Sequence, residues 1–249
     1  MSQASLQFPS AGSRLVRCLA ELVAPDLATS DRHFDRRLAL LIDLPGSINL
    51  ANALDKLART DCEPGDAGCD DITSEFLAVR ASLVESVISS FTPGSTTARI
   101  RLPRLQVGTS EQPAFEPYLK FYQAHQRQMD YQIQLLHNRA REVAAVRSPS
   151  LARLVVLDES MEDTLSLLTR KSLGQIPRLL AQRFAQLLPD GADYELTAAN
   201  GNAQMALQRF HADMRELLLA EIEARLLPAW GLVEAINSST EPGIATNTL

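Results

Sequence analysis

Aromatic residues, lysine and cysteine are all scarce in this chain of 249 residues. Aromatics make up only 5% of it, lysine occurs 3 times against 21 arginines, and there are 3 cysteines. Three cysteines are too few for a disulfide framework. Few aromatics beside 39 leucines argue against a large sheet and favour helices.

No segment stands out by charge or by apolar length. The net charge is −6, and residues 1–112 and residues 113–249 each carry −3 of it. Neither half therefore has the basic surplus typical of a nucleic-acid-binding domain. The first twelve residues lack the features of a signal peptide, and no apolar run approaches the roughly 18 residues of a membrane span. We expect a soluble, cytoplasmic bacterial protein.

Proline and glycine divide the chain into a fragmented first half and a more continuous second half. This pattern predicts a disordered N-terminus at 1–12, a short-helix N-terminal subdomain at 13–91, a linker at 92–112, a long-helix bundle at 113–237 and a disordered tail at 238–249. Within the subdomain we predict helices at 14–23, 31–43, 47–60 and 71–90. The linker has room for a short strand at 99–102.

Apolar residues at three- and four-residue steps predict three long helices in the second half, at about 113–147, 149–188 and 203–236. Gly174 and Pro177 should bend the second one. Ser148-Pro149 ends the first, either as the turn of an antiparallel hairpin or as a kink in one continuous helix. The third is apolar on two sides, which is typical of a central helix. The predicted fold is all-α: long antiparallel helices in a coiled-coil-like bundle, capped by shorter N-terminal helices.

Cys62 and Cys69 flank a turn-rich acidic loop, DCEPGDAGCDD. Six intervening residues allow a redox pair, but no nearby histidine or further cysteine completes a zinc site. The surrounding carboxylates should raise the pKa of a thiol rather than activate it. The alternatives are an exposed acidic loop, a redox pair and a soft-metal site, in that order.

Asp158 interrupts an apolar stripe of the second long helix. A carboxylate there needs a partner if it is buried. Arg139, and Arg225 with Glu221 one turn before it, are suitable residue types. Our hypothesis is a structural polar contact among Asp158, Glu221, Arg225 and Arg139 that fixes the register of the long helices. A solvated acidic face and a catalytic or metal role are the alternatives.

Basic and aromatic residues are interleaved between residues 118 and 147, and RIRLPR at 99–104 is a second small basic segment. The basic ones include Lys120, Arg127, Arg139, Arg141 and Arg147, and the aromatic ones are Tyr118, Phe121, Tyr122 and Tyr131. Such interleaving suits a stacking surface for nucleic acid. However, Tyr118, Tyr122 and His125 fall on the predicted packing stripe, so we expect these side chains in the core.

Three segments resemble an uncharacterised proteobacterial all-helical family known only as a domain of unknown function. They are FEPYLKFYQAHQRQM, SPSLARLVVLDESMEDTLSLLTRKSLGQIPRLLAQRFAQLL and FHADMRELLLAEIEARLLPAWGLVEAI, and the resemblance spans roughly residues 113–236. It implies no activity and no site residues. It does imply a genomic setting beside OmpA-like and coiled-coil envelope proteins, and hence a soluble component of an envelope-associated complex.

No phosphate-binding loop, dinucleotide fingerprint or nucleophile elbow occurs in the sequence. We therefore predict no enzyme activity, no cofactor and no metal. The expected function is that of a helical interaction protein, a scaffold or adaptor that binds a protein partner or a second copy of itself. A nucleic-acid-binding regulator that uses residues 99–147 is the alternative.

Overall fold

A computed structural model describes residues 11–23, 69–103, 114–188 and 202–239. These residues form six helices and no strand: α1 (Ala11–Val23), α2 (Cys69–Phe91), α3 (Glu116–Arg147), α4 (Pro149–Leu173), α5 (Ile176–Leu187) and α6 (Asn202–Ser238). The all-α fold is confirmed. The predicted helices at 31–43 and 47–60 lie outside the described residues, as do residue 62 and nearly all of the two predicted disordered ends.

The strand predicted at 99–102 is wrong. Residues 99–102 form bends and irregular backbone. A strand needs a neighbouring strand for its backbone hydrogen bonds, whereas here the carbonyl of Ile100 lies 2.7 Å from the hydroxyl of Ser90 on α2. Upstream, the chain leaves α2 through the turn Thr92-Pro93-Gly94-Ser95, in which the Ser95 amide donates to the Thr92 carbonyl. Gly94 has φ +76°, the left-handed conformation that the third position of such a Pro-Gly turn requires.

Ser148 separates α3 from α4 as the turn of an antiparallel hairpin. Arg141 Nε donates to Asp158 Oδ2 at 2.7 Å across 17 residues. Those residues would lie about 25 Å apart along one continuous helix, so a kinked single helix is excluded. The Ser148 hydroxyl accepts a hydrogen bond from the Leu151 amide at 3.2 Å, which makes it the N-cap of α4, followed directly by Pro149.

The predicted helix at 149–188 is divided into α4 and α5 rather than only bent. α4 ends at Leu173 and α5 begins at Ile176. Gly174 lies between them, and Pro177 occupies the first turn of α5, where its missing amide hydrogen removes no helical hydrogen bond. The two breakers are close enough in sequence to end one helix and start the next.

The described residues fall into two compact units. The first comprises residues 11–23, 81–103, 114–130, 171–188 and 202–225, and the second comprises residues 69–80, 131–170 and 226–239. Helices α2, α3, α4 and α6 each contribute residues to both.

The first unit has an aromatic core between α3, α5 and α6. The rings of Tyr118, Phe184 and Phe210 have centroids 5.1 to 5.6 Å apart, and Phe115 lies beside them. Phe210 has no exposed surface. Aromatic groups at these distances bury large apolar areas in favourable tilted and edge-to-face contacts.

The second unit packs one part of each of four helices around aliphatic side chains and one aromatic pair. Phe76 of α2 lies against Trp230 of α6, with ring centroids 5.0 Å apart. The other core side chains include Ile72, Ile133, Leu136, Ala140, Leu151, Val155, Leu226, Leu232, Val233 and Ile236.

Both predicted apolar sides of α6 hold buried residues. Phe210 and Met214 on one side, and Ile222 and Leu226 on the other, are fully covered.

None of the helices described is both long enough and apolar enough to cross a bilayer.

Replacing Ser148 by Ala should lower the free energy of unfolding by about 1 kcal/mol, because the first turn of α4 loses its side-chain acceptor. Urea unfolding followed by circular dichroism measures the loss. Ser150→Ala is the matched control: Ser150 is exposed two residues further on, so its change should stay within about 0.5 kcal/mol of wild type. Equal effects of the two substitutions would rule out the cap as the cause.

Candidate functional site

The carboxylate of Glu221 is the most deeply buried charged group of the described chain, with no exposed surface. Its Oε2 accepts a hydrogen bond from the Tyr122 hydroxyl at 2.7 Å. Its Oε1 accepts from Gln126 Nε2 at 2.9 Å and from Arg225 Nε and Nη2 at 2.9 and 2.6 Å. Tyr122 and Gln126 belong to α3, so this network joins α3 to α6 within the first unit.

Two further groups complete the Glu221 network. Arg225 also pairs through Nη1 with Asp130 of α3, whose side chain is mostly exposed. Gln126 Nε2 lies 3.4 Å from the carbonyl of Leu173 at the end of α4. Burial raises the pKa of Tyr122 well above its usual value, and the charge of Glu221 raises it further. The phenol therefore stays protonated and acts as a hydrogen-bond donor.

Arg14 of α1 binds two carboxylates of α6. Arg14 Nη1 lies 2.7 Å from Glu223 Oε1, and Arg14 Nη2 lies 3.2 Å from Glu216 Oε2. Cys18 of the same helix carries a free thiol. Burial raises the pKa of this thiol, which keeps it in the weakly reactive protonated form.

Asp158 is the centre of a second network, which joins α3 to α4 within the second unit. Its Oδ2 lies 2.7 and 2.6 Å from Nε and Nη2 of Arg141 and 3.0 Å from Nε2 of His137. Arg141 Nη1 reaches Glu162 Oε2 at 2.7 Å, one turn further along α4. The side chains of His137, Arg141 and Asp158 are between 8% and 18% exposed, so water screens the charges of Arg141 and Asp158 little.

Burial by itself would raise the pKa of Asp158, but His137 and Arg141 outweigh it, and the pKa of Asp158 lies below its usual value. A carboxylate that is held ionised in this way is a weak base at neutral pH. The geometry is therefore that of a structural contact between α3 and α4, in which one arginine bridges carboxylates on successive turns.

The structure brings together some of the residues that the sequence analysis singled out. Glu221 and Arg225 bind each other. The expected partners of Asp158 are wrong, because Arg141 and His137 bind it, whereas Arg139 forms an exposed pair with Glu142 at 3.1 Å. Cys69 is the first residue of α2, but its side chain and residue 62 lie outside what the structure describes. The redox pair of Cys62 and Cys69 thus stays a prediction.

Two histidines are embedded among aromatic rings of the first unit. His125 is 1% exposed and lies edge-on to Phe121 with ring centroids 4.8 Å apart. His211 Nε2 lies 3.4 Å from the Tyr118 hydroxyl. Burial lowers the pKa of each histidine to about 4. Both are therefore neutral near pH 7, and His125 is a core residue, as its place on the packing stripe predicts.

The aromatic residues of the predicted nucleic-acid surface are mostly in the core. Tyr118, Phe121 and Tyr122 are at most 4% exposed, and only Tyr131 is well exposed, at 68%. The basic residues of this region are partly matched by acids, since Lys120 pairs with Glu116 and the guanidinium of Arg141 binds Asp158 and Glu162.

In the described part of the chain, no three histidine, cysteine, aspartate or glutamate side chains form a group that could hold a metal ion. The fold and the two networks define an all-α protein in which fully or partly buried carboxylates connect long helices.

The chain belongs to the family described as "Protein of unknown function (DUF3348)", whose model matches residues 1–238. The match covers the first half as well as residues 113–236, to which the resemblance of the sequence was confined. Neither the curated proteins nor the solved structures include a significant match to the chain.

Glu221→Leu should lower the free energy of unfolding by about 3–5 kcal/mol, because Arg225, Tyr122 and Gln126 lose their shared acceptor in a buried site. Chemical denaturation at pH 7 measures the change. Glu216→Gln is the matched control on the same helix: its carboxylate also binds an arginine but is half-exposed, so it should cost less than about 1 kcal/mol. A loss for Glu221→Leu as small as that of the control would contradict the structural role of this network.

Acidification should destabilise the protein through His125. The unfolded chain binds a proton at this ring near pH 6.5, whereas the folded chain binds it only near pH 4. The free energy of unfolding is therefore unaffected by this ring above pH 6.5. It falls as the pH drops from 6.5 to 4 and does not fall further below that, and the total loss is about 3 kcal/mol. Unfolding free energies at pH 7 and pH 4.5 measure most of it.

His125→Leu removes this titration and keeps a similar volume, so the variant should lose less stability between pH 7 and pH 4.5 than wild type does. The loss of stability that His211 causes over the same pH range should be the same in both proteins. An identical pH dependence of variant and wild type would show that His125 does not titrate as its burial requires.

Proposed function

We propose that this protein is a non-enzymatic helical interaction protein, a scaffold or adaptor that works by presenting helix surfaces to another polypeptide. The observation that carries the proposal is a set of large apolar side chains exposed on one side of α3. Tyr131, Leu135 and Val146 are 68%, 53% and 42% exposed, and all three lie in the second unit. At 100° per residue, they fall within about 60° of one another around the helix.

These side chains form the apolar part of a surface that we call the α3 strip: Tyr131, Leu135, Arg139, Glu142 and Val146. It lies on the side of the helix opposite to the buried Ile133 and Ala140. Singly exposed apolar residues are common on protein surfaces, but a row of them along one helix face is typical of a contact surface.

The buried charges support the same function class. Asp158 is bound by Arg141 of α3. Glu221 is bound by Arg225 of its own helix and by Tyr122 and Gln126 of α3, so both carboxylates serve as contacts between helices. General acid–base catalysis needs a group whose pKa is near the working pH and which can reach a substrate. The pKa of Asp158 is lowered and Glu221 has no exposed surface, so both carboxylates are better suited to rigid helix pairing, which is what a scaffold requires.

We favour protein contact over the nucleic-acid alternative for residues 99–147. Base stacking needs exposed rings, and Tyr118, Phe121 and Tyr122 are buried. Phosphate binding needs a surplus of positive charge, and the net charge of the chain is −6.

We further propose that the protein acts in the cytoplasm and associates peripherally with an envelope complex. This part of the proposal rests on the genomic setting that the family resemblance implies.

Affinity purification of the tagged full chain from its native host tests the proposal. It is carried out at low salt, with and without detergent extraction of the envelope, beside an untagged copy of the chain expressed at equal level. We expect one polypeptide, either a host protein or the untagged copy, to be recovered in a fixed ratio. A strictly monomeric chain, by light scattering, that recovers nothing would contradict the proposal.

Two variants locate the surface used. Leu135→Ser in the α3 strip should lower recovery about tenfold, a loss of about 1.4 kcal/mol, because it removes apolar surface from the contact. Met205→Ser is the matched control, since Met205 is 67% exposed on α6 in the first unit, and its recovery should be unchanged. Recovery that nuclease treatment abolishes, or that falls steeply between 50 and about 200 mM salt, would favour the nucleic-acid alternative instead.

A further inference from the structure

The α3 strip carries one cation and one anion between its apolar residues. Arg139 and Glu142 have side chains 48% and 68% exposed. Leu135 precedes Arg139 by four residues, and Val146 follows Glu142 by four residues. All four side chains project within about 60° of one another around α3. Along the helix the order is therefore apolar, positive, negative, apolar.

This order is complementary to itself when it is reversed. If two copies of α3 lie antiparallel, with a two-fold axis passing between Arg139 and Glu142, each Arg139 lies level with Glu142 of the other copy. Each Leu135 then lies level with Val146 of the other copy. A symmetric dimer requires this property, because the same patch meets itself and contact i to j is repeated as j to i.

Within one chain, the pair of Arg139 and Glu142 contributes little. It is an exposed contact of 3.1 Å between residues three apart, and exposed pairs of this kind add little to stability. Across a dimer axis the same two residues would form two pairs flanked by apolar side chains, where less water screens them.

We propose that the α3 strip binds the α3 strip of a second copy, which makes this protein an antiparallel, two-fold symmetric homodimer. The inference rests on the proposed function, whose unspecified partner it identifies as the chain itself. From Tyr131 to Val146 the strip is about 22 Å long. A single helix pair of this length buries less than the roughly 1,200 Å² of a standard interface, so the dimer is weak and forms reversibly with concentration.

A charge exchange between two variants of the full chain tests this geometry. Arg139→Glu places four carboxylates around the dimer axis, and Glu142→Arg places four guanidinium groups there. Each variant alone should self-associate at least about tenfold more weakly than wild type, because like charges meet at the axis. An equimolar mixture should form a heterodimer with roughly wild-type affinity, since every glutamate then faces an arginine. Sedimentation velocity at about 50 mM salt measures all three.

The mixture separates the dimer from any effect inside one chain. Both variants lose the pair between residues 139 and 142, and mixing cannot restore it within either chain. Recovery of association on mixing therefore requires contact between the two strips. Circular dichroism confirms that each variant is folded.

Apolar substitutions provide an independent readout. Leu135→Ser should weaken self-association at least about tenfold, whereas Leu167→Ser, at an exposed position of α4 outside the strip, should leave it unchanged. Wild-type protein that stays monomeric at every concentration, a mixture that does not associate, or equal effects of the two serine variants would each overturn the homodimer. If the chain is monomeric and still recovers a host protein, the interaction function stands and only the homodimer fails. If it is monomeric and recovers nothing, both fail.

Discussion

A carboxylate with no exposed surface constrains the first unit more than any other group described. The side-chain oxygens of Glu221 are tolerated in the interior only if donors replace the water that they have lost. Tyr122, Gln126 and Arg225 supply them, two from α3 and one from the next turn of α6. Sliding α3 by one turn past α6 would leave the charge without the phenol and the amide. Contacts between apolar side chains tolerate such a shift of register much better. The carboxylate therefore fixes the register of the two helices, and the buried leucines stabilise their packing.

In the second unit, too, a carboxylate bound by polar side chains fixes the register of two helices, but the geometry is different. Arg141 of α3 binds Asp158 and Glu162 on successive turns of α4. These contacts fix the hairpin of α3 and α4, whose turn is Ser148. A planar guanidinium with several donors is better suited to bridging two carboxylates than a lysine ammonium would be. A role of this kind gives some of the 21 arginines a structural reason.

The sequence predicts the long helices well, because their signals are local. The periodic leucines, Ser148-Pro149, and the pair of Gly174 and Pro177 each act within a few residues of where they stand. The strand predicted at 99–102 failed since a strand depends on a neighbour that local composition does not reveal. The short resemblance likewise understated the family match, which extends over the whole first half.

The partners of Asp158 could not be predicted from the sequence. To predict them, the direction in which a side chain points around its helix must be known, and not only its position along the helix. Arg139 and Arg141 are only about 3 Å apart along the axis but about 200° apart around it. One faces solvent and pairs with Glu142, and the other faces α4 and binds Asp158. Choosing between them needs the packed helix pair. In contrast, Glu221 and Arg225 lie four residues apart on one helix, and their pairing follows from that spacing alone.

The contribution of α6 to both units has a consequence for how the protein is made. Residues 202–225 supply core side chains to the first unit and residues 226–238 to the second, yet α6 follows every other described helix along the chain. During translation the ribosome therefore releases α1 to α5 before either core can close. The apolar sides of α3, α4 and α5 stay open in the nascent chain for that interval, when a chaperone has the most to bind.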